Sequence, residues 1–247
     1  MLNSITRNKV LIKAFFLGLW LILWHLLAEH LNQSILLVSP IRVLTRLNEL
    51  IWQSVFWQSI SNSLGRILIG FLGAASIGSV LAFMAQLPLM SAFLLPPMSL
   101  IKATPVASFT ILALFWLPAT NLSVLISFLM VLPIVFFNVQ EGLKNVDRQL
   151  LEMAQVFQLS YWKKIRAIYI PSILPYFISA CNIGLGQAWK SGIAAEVIAL
   201  PNKSIGMNLY NAKVYLENAD LLAWTAVIII LSLIMEQLFV WLVKHVK

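Results

Sequence analysis

Charge is scarce in this 247-residue chain: Asp, Glu, Lys and Arg together make 11% of it, and only 9 residues are acidic. Soluble domains carry about a quarter of their residues as charges. So little charge beside 60% hydrophobic residues excludes a soluble globular fold. Cysteine is nearly absent. The single Cys181 lies within an apolar run, which excludes an intrachain disulfide and a cysteine-based metal cluster and leaves it as a small buried hydrophobe. His25, His30 and His245 are scattered without ligand spacing, so metal catalysis has no support. The short alternating segments of an outer-membrane barrel are missing too, because the apolar runs are long and set Leu, Ile and Phe side by side. What remains is an all-α integral membrane protein.

A span takes about 20 mostly apolar residues, and the runs near 10–28, 67–87, 89–116, 122–137, 173–198 and 221–243 predict about six transmembrane helices. They consume most of the apolar sequence, so residues 1–247 read as a single transmembrane domain with a core of about 58–245. The fourth run is short. The third is interrupted by Pro96, Pro97 and Pro105, which a span tolerates where neighbouring helices re-satisfy the freed carbonyls. The first run resembles a signal peptide, with Arg7, Lys9 and Lys13 before it, but no small-residue cleavage pattern follows, so it reads as a retained helix.

The net charge of +8 would suggest nucleic acid in a soluble protein. In a membrane chain an excess of Lys and Arg marks cytoplasmic flanks instead, so the expected surroundings are a lipid bilayer and not nucleic acid. With the N-terminus inside, Arg7, Lys9, Lys13, Lys144, Arg148, Lys163, Lys164, Arg166, Lys244 and Lys247 fall on the inner side and Arg42, Arg46, Lys203 and Lys213 outside, ten against four. Both termini are then cytoplasmic.

Between the first two runs, Ser39 and Pro40 make a favourable helix start, and Val43, Leu44, Leu47, Leu50 and Ile51 recur at helical spacing opposite Arg42, Arg46 and Glu49. Residues 39–53 therefore form an amphipathic helix, either at the outer interface or packed on neighbouring spans. Gly70, Ala74, Gly78 and Ala82 form one row of small residues four apart, and Ala180, Gly184, Ala188 and Gly192 another. Such rows permit close helix approach, within one subunit or between two.

The longest polar stretch, about 140–166, contains an amphipathic helix that Asn145 or Asp147 can cap, with Leu150, Met153, Ala154 and Phe157 on one stripe. Ser160 can cap a second short helix before Pro171 opens the fifth span. Residues 145–168 would then form a knob of two short helices pinned between two spans.

In this segment Glu152-Met153-Ala154, three further residues, Gln158, nine more, and Ile168-Tyr169-Ile170-Pro171 match in spacing the pattern E-A-A-x3-G-x9-I-x-L-P. The chain resembles the permeases of binding-protein-dependent ABC importers, whose EAA loop has that pattern. The likeness runs from about Ser39 to Glu236: the Asn62-Ser63-Leu64-Gly65-Arg66 run, Gly70-Phe71, Pro105, Glu141-Gly142-Leu143, Ala188-Trp189 and Ala195-Glu196 are similar to the nitrate/sulfonate/taurine branch. The departures are Met153, Ile170 and Gln158, the last in place of a glycine, where a side chain resists a positive φ. The resemblance implies a type I importer permease fold working as a homodimer in a bacterial cytoplasmic (inner) membrane. It implies ATPase coupling through Glu152, Met153, Ala154, Phe157, Gln158 and Ser160, with a separate cytoplasmic ABC ATPase and an extracytoplasmic solute-binding protein as partners.

Lys102, Lys190 and Glu196 sit within apolar stretches, where a charge costs a few kcal/mol and faces a cavity, a partner or the interface. They are the translocation-path candidates; for the lysines the alternatives are structural pairing with Glu196 or snorkelling, and for Glu196, which with Arg66 lies near the outer end of its span, a structural role is the preferred reading. Glu196 is a poor helical partner for Lys190, since six residues at about 100° each place them on different faces. Gly184 to Ser191 superficially resembles a phosphate-binding loop, but Trp189 occupies the place of the glycine before the lysine. The chain is thus expected to be no enzyme and to bind no cofactor, ATP being bound by the partner. Rival readings are an ion-coupled secondary transporter using Lys102, Lys190 and Glu196, and a multi-span membrane enzyme acting on lipid. Only the importer requires a stoichiometric ATPase. The solute is left open among nitrate, an alkylsulfonate, taurine, a vitamin and a vitamin precursor.

Overall fold

The computed structural model describes residues 2–31 and 37–246, with side chains described at residues 12, 15, 16, 18–31 and 37–243. The side chains of Arg7, Lys9, Lys13 and Lys244, and all of Lys247, lie outside the described residues. The described chain is all-helical, as the continuous apolar runs require.

Helix α1 (Leu2–Leu31) carries the first expected span, although its described apolar part, Gly18–Leu31, is shorter than a span. Helix α2 (Pro40–Ile51) starts where the Ser39-Pro40 pair places it. Ser39 has the extended backbone of an N-cap, yet its hydroxyl makes no capping bond. Among the described residues four helices are long and apolar enough to cross a membrane: α3 (Ser54–Met84), α6 (Ala119–Lys144), the run Tyr161–Ala199, and Asn218–Val243 within α11 (Asn218–Val246). The third expected span is instead two helices, α4 (Pro88–Ala103) and α5 (Val106–Ala113), bent by 101°. Counted as one broken span, they bring the total among the described residues to five.

The break has a local cause. Pro105 disfavours helical backbone at the residue before it, and Thr104 is extended at ψ 131°. Its hydroxyl donates to the carbonyl of Leu100 at 2.8 Å, covering part of the exposed helix end. Pro96 and Pro97, by contrast, stay inside α4 without ending it.

The chain divides into two compact units. One comprises the described residues up to Gln58 together with Asn208–Ile229. Within it Val43 and Leu50 of α2 are buried, while Leu44 is exposed. Arg46 pairs with Glu49 and, in a bidentate arrangement, with Asp220 in the first turn of α11. Hydrogen bonds to Asp220 first and Glu49 second push the guanidinium still further above its ordinary pKa. Phe56 stacks on Trp224 with ring centroids 5.1 Å apart.

The other unit comprises Ser59–Met207 and the described residues from Ile230. Its centre is α6, the expected short span, which in fact runs 26 residues and has 61% of its apolar window buried. Both rows of small residues face it. A Cβ on Gly78 would lie 3.1 Å from the Leu132 carbonyl and from Val135 Cβ, and one on Gly184 would lie 3.0 Å from Val131. Ala74, Ala82, Ala180 and Ala188 are fully buried. The rows therefore pack α3 and α9 (Ile170–Ala199) on α6 within one chain, and Ser127 Oγ donates to the Ala188 carbonyl at 3.1 Å across that contact.

Candidate functional site

The knob grows from the end of α6. Asn145 is spent on that end, its Nδ2 donating to the Glu141 carbonyl at 2.9 Å, and Asp147 caps α7 (Arg148–Val156) by accepting from the Gln149 N–H at 2.8 Å. Of the two capping residues the sequence allowed, the structure uses Asp147. Along α7, Ala154 is fully buried and holds the helix to the unit. Glu152 faces outward and pairs with Arg148 one turn back at 3.1 Å. Met153 and Phe157 of the same stripe are 49% and 70% exposed, as are most of Tyr161 and Trp162 beyond the turn. The stripe is thus left half uncovered, with Ala154 alone fully buried on it.

The turn out of α7 is a Schellman closure: the Leu159 N–H donates to Ala154 O at 2.9 Å and the Gln158 N–H to Gln155 O at 3.0 Å. That geometry demands a left-handed residue, and Gln158 adopts φ 49°. The tight turn survives the loss of the family's glycine, with Gln158 carrying the strain. Ser160 has N-cap backbone at the head of α8 (Tyr161–Lys164) without a side-chain bond; its carbonyl accepts from the Lys164 N–H at 3.0 Å.

The second knob helix is not separate from the fifth span, contrary to the expectation that Pro171 opens it. From α8 the backbone passes through one wide π-helical turn, Ile165–Tyr169, directly into α9, making a 39-residue helical run. The wide turn lies just before Pro171, which has no N–H to donate four residues back and whose ring crowds that carbonyl. The Ile170 N–H reaches the Ile165 carbonyl instead. One continuous helical run thus links α8, the second helix of the knob, to the membrane helix.

The path candidates lie apart. Lys190 is exposed on a face of α9 shared with Ser179, Ile183 and Ala194, and the Cβ position of Gly186 on that side meets nothing within 4 Å. Lys102 is in the last turn of α4, its Nζ 5.4 Å from the centre of the Phe137 ring. Among the described residues neither lysine forms an ion pair.

Glu196 faces the other way and is fully buried. Its Oε2 accepts from Ser63 Oγ at 2.7 Å and from the Gly206 N–H at 3.2 Å, and its Oε1 accepts from Arg66 Nη1 at 3.4 Å. Ser63 Oγ in turn accepts from the Ile205 N–H at 3.0 Å. The carboxylate therefore clasps α3, α9 and the start of α10 (Ile205–Val214). The intervening turn is strained: Leu200 and Lys203 both have positive φ, at 53° and 52°. Gly206 is required here, since a Cβ on it would collide with Glu196 Cβ and come within 2.6 Å of the Val197 nitrogen.

Residues 74–247 match the family model described as the binding-protein-dependent transport system inner membrane component, a stretch that takes in the knob, α9 and the Glu196 and Gly206 side of the clasp. The chain belongs to this family. The permease is 26% identical over 230 residues to the taurine transport system permease protein of Escherichia coli K12, covering 90% of this chain and 82% of that one. It is 23% identical to a putative aliphatic sulfonates transport permease protein of Bacillus subtilis 168, covering 87% and 77%. Over 162 residues it is 28% identical to a bicarbonate transport system permease protein of Synechocystis, covering 65% and 58%. In fold it is similar to a chain of an amino acid ABC transporter (TM-score 0.63, 15% identity, covering 76% of this chain and 94% of that one). A chain of a bacterial alginate importer gives 0.58 at 16% identity, covering 99% and 98%. The family and ABC permease fold expected from the motif are those found, and the taurine, sulfonate and bicarbonate relatives match the nitrate/sulfonate/taurine branch expected from the runs around it.

Within the permease the structure gathers Glu152, Met153, Ala154, Phe157, Gln158 and Ser160 into one knob and separates Lys102, Lys190 and Glu196 onto three surroundings. Ser63 and Gly206 escaped the sequence reading as partners of Glu196. The signal for Ser63 was a serine one turn before Arg66 in a run already singled out; for Gly206 there was none beyond the residue type.

Proposed function

We propose that this permease is one half of a homodimeric, ATP-driven importer of a small anionic or zwitterionic solute, and that residues 145–168 couple it to a separate cytoplasmic ATPase. The observation that carries the reading is the exposed apolar side chains of the knob, Met153 and Phe157 at α7 beside Tyr161 and Trp162, the last two on the helical run continuous with α9. A partner that moves α8 tilts the spanning helix continuous with it, which is the lever that rigid-body gating requires. Lys190, cationic and open on that same helix, supports an anionic solute. Taurine, aliphatic sulfonates and bicarbonate, which name the related permeases, are all small and carry a negative group. An extracytoplasmic binding protein delivers the solute; Lys102 is the second candidate along the path. The clasp geometry favours a scaffolding role for Glu196. Both termini face the cytoplasm, on the balance of ten inner against four outer basic residues.

Co-purification tests the coupling. Phe157→Asp and Glu152→Lys alter exposed positions, so the permease should insert normally while the ATPase is released or hydrolyses ATP without transport. Normal uptake together with normal ATPase recovery in both variants removes the coupling assignment. A cysteine placed at Gln155 should be labelled only from the cytoplasmic side; Cys181, being buried, gives little background.

A further inference from the structure

Two open grooves in the larger unit meet at Phe83. The first, about 410 Å³, runs between α3, α6 and α9 past Ser79, Val139, Ile173, Leu174 and Phe177. Its only polar side chain is Ser79, whose hydroxyl is already donated to the Ala75 carbonyl at 2.7 Å. The second, about 900 Å³, continues past Met84 and Gln86 to Leu143, Tyr161, Ile165 and Tyr169. It therefore ends where α3 and α6 end and where the α8–α9 run begins, at the polar boundary of the spans.

That boundary is strongly cationic. Lys144 follows Leu143, and Lys164 is half-buried one turn from Tyr161 and adjacent to Ile165. Lys163 and Arg166 stand beside them. The acids of the same end are committed elsewhere: Glu141 accepts from Asn145, Asp147 caps α7, and Glu152 pairs with Arg148. Among the described residues, none of the four cations forms an ion pair. An apolar slot reaching span depth, with tyrosines and unpaired lysines at its mouth, has the chemistry of a bilayer lipid: acyl chain, interfacial ring, anionic head. A soluble partner can reach the mouth but not the part lined by Val139 and Phe177, which belongs to the apolar stretch of the spanning helices.

We propose that an anionic phospholipid occupies this groove, an acyl chain along Val139, Ile173 and Phe177 and its phosphate at the end where Lys144 and Lys164 lie. The groove shares Tyr161 with the coupling segment but contains none of the path lysines, and lipid retention is read directly, so the proposal stands or falls whether or not that segment couples to an ATPase.

Native mass spectrometry of the full-length permease in the complex it forms, incubated with equal amounts of dioleoyl phosphatidylglycerol and dioleoyl phosphatidylcholine, tests it. Phosphatidylglycerol should be retained in preference. Each cation turned to the lipid headgroup contributes about fivefold to its attraction, so K144Q/K164Q should lower that preference by roughly 25-fold. Lys163→Gln is the control, because Lys163 lies about 160° round the helix from Ile165. Leu174→Trp narrows the deep groove and should reduce retention of both lipids without changing the preference between them. Equal retention of the two lipids, or a preference unchanged in K144Q/K164Q, overturns the proposal. So does release of a protein subunit by K144Q/K164Q with lipid binding unaltered, which would assign the groove to a protein partner.

Discussion

Replacing Glu196 separates a scaffold from a path residue. Glu196→Ala leaves the Ser63 hydroxyl, the Gly206 N–H and the Arg66 guanidinium without their shared acceptor, in a site where the carboxylate was fully buried. Interhelical hydrogen bonds in membrane proteins average about 0.6 kcal/mol and reach about 1.7 kcal/mol. Three such bonds give about 2–5 kcal/mol, which overlaps the about 3–5 kcal/mol typical of removing one partner from a buried ionic pair. Glu196→Gln is gentler. Its amide oxygen still accepts from Ser63 and Gly206, and only the long contact to Arg66 turns into two opposed donors, a cost of about 1 kcal/mol. Thermal unfolding of the purified permease, followed by size-exclusion chromatography, should thus show a midpoint lowered by roughly 10 °C in the alanine variant and by a few degrees in the glutamine variant. A path carboxylate predicts the opposite pattern, with uptake lost equally in both and the midpoint unmoved. If Glu196→Ala assembles with the parental midpoint, the clasp does not carry the stability assigned to it.

Lys190→Met keeps the volume and removes the charge, so uptake of an anionic solute should collapse while the assembled complex and its thermal midpoint persist; Lys190→Arg should retain more transport, and normal uptake by Lys190→Met refutes the path role. Gly192→Leu forces a side chain where a Cβ alone would lie 2.5 Å from Ile67 and 2.6 Å from Ser127 Oγ, so expression and midpoint should fall, by at least the about 1–3 kcal/mol of an overpacked core. Gly186→Ala meets open space and should leave both unchanged. Gln158→Gly should relieve about 1 kcal/mol of left-handed strain, read as slower amide exchange across α7 and the turn with coupled transport intact; loss of coupling there would mean that the Gln158 side chain itself contacts the ATPase.

Much of this permease is written in local pattern. Long unbroken apolar runs leave the helix as the way to satisfy the backbone in lipid, and the motif spacing located the knob before any contact was known. The rows of glycine and alanine announced close helix approach, and the left-handed turn expected of a glycine forms at Gln158 because the Schellman bonds around it require that backbone. Partner choice is another matter. No periodicity says that both small-residue rows face α6, that Asp147 and not Asn145 caps α7, or that Arg46 finds Asp220 across 174 positions. Nor does it say that the short helix after Ser160 runs through a π turn into α9, since that depends on how Pro171 is accommodated. The bend at Thr104 required Pro105 to act where Pro96 and Pro97 did not. Glu196 shows the limit most clearly: helical spacing could exclude Lys190 as its partner, but only the packing of α3, α9 and α10 could supply Ser63, Arg66 and Gly206, because a buried carboxylate is satisfied by whichever donors the tertiary fold brings to it.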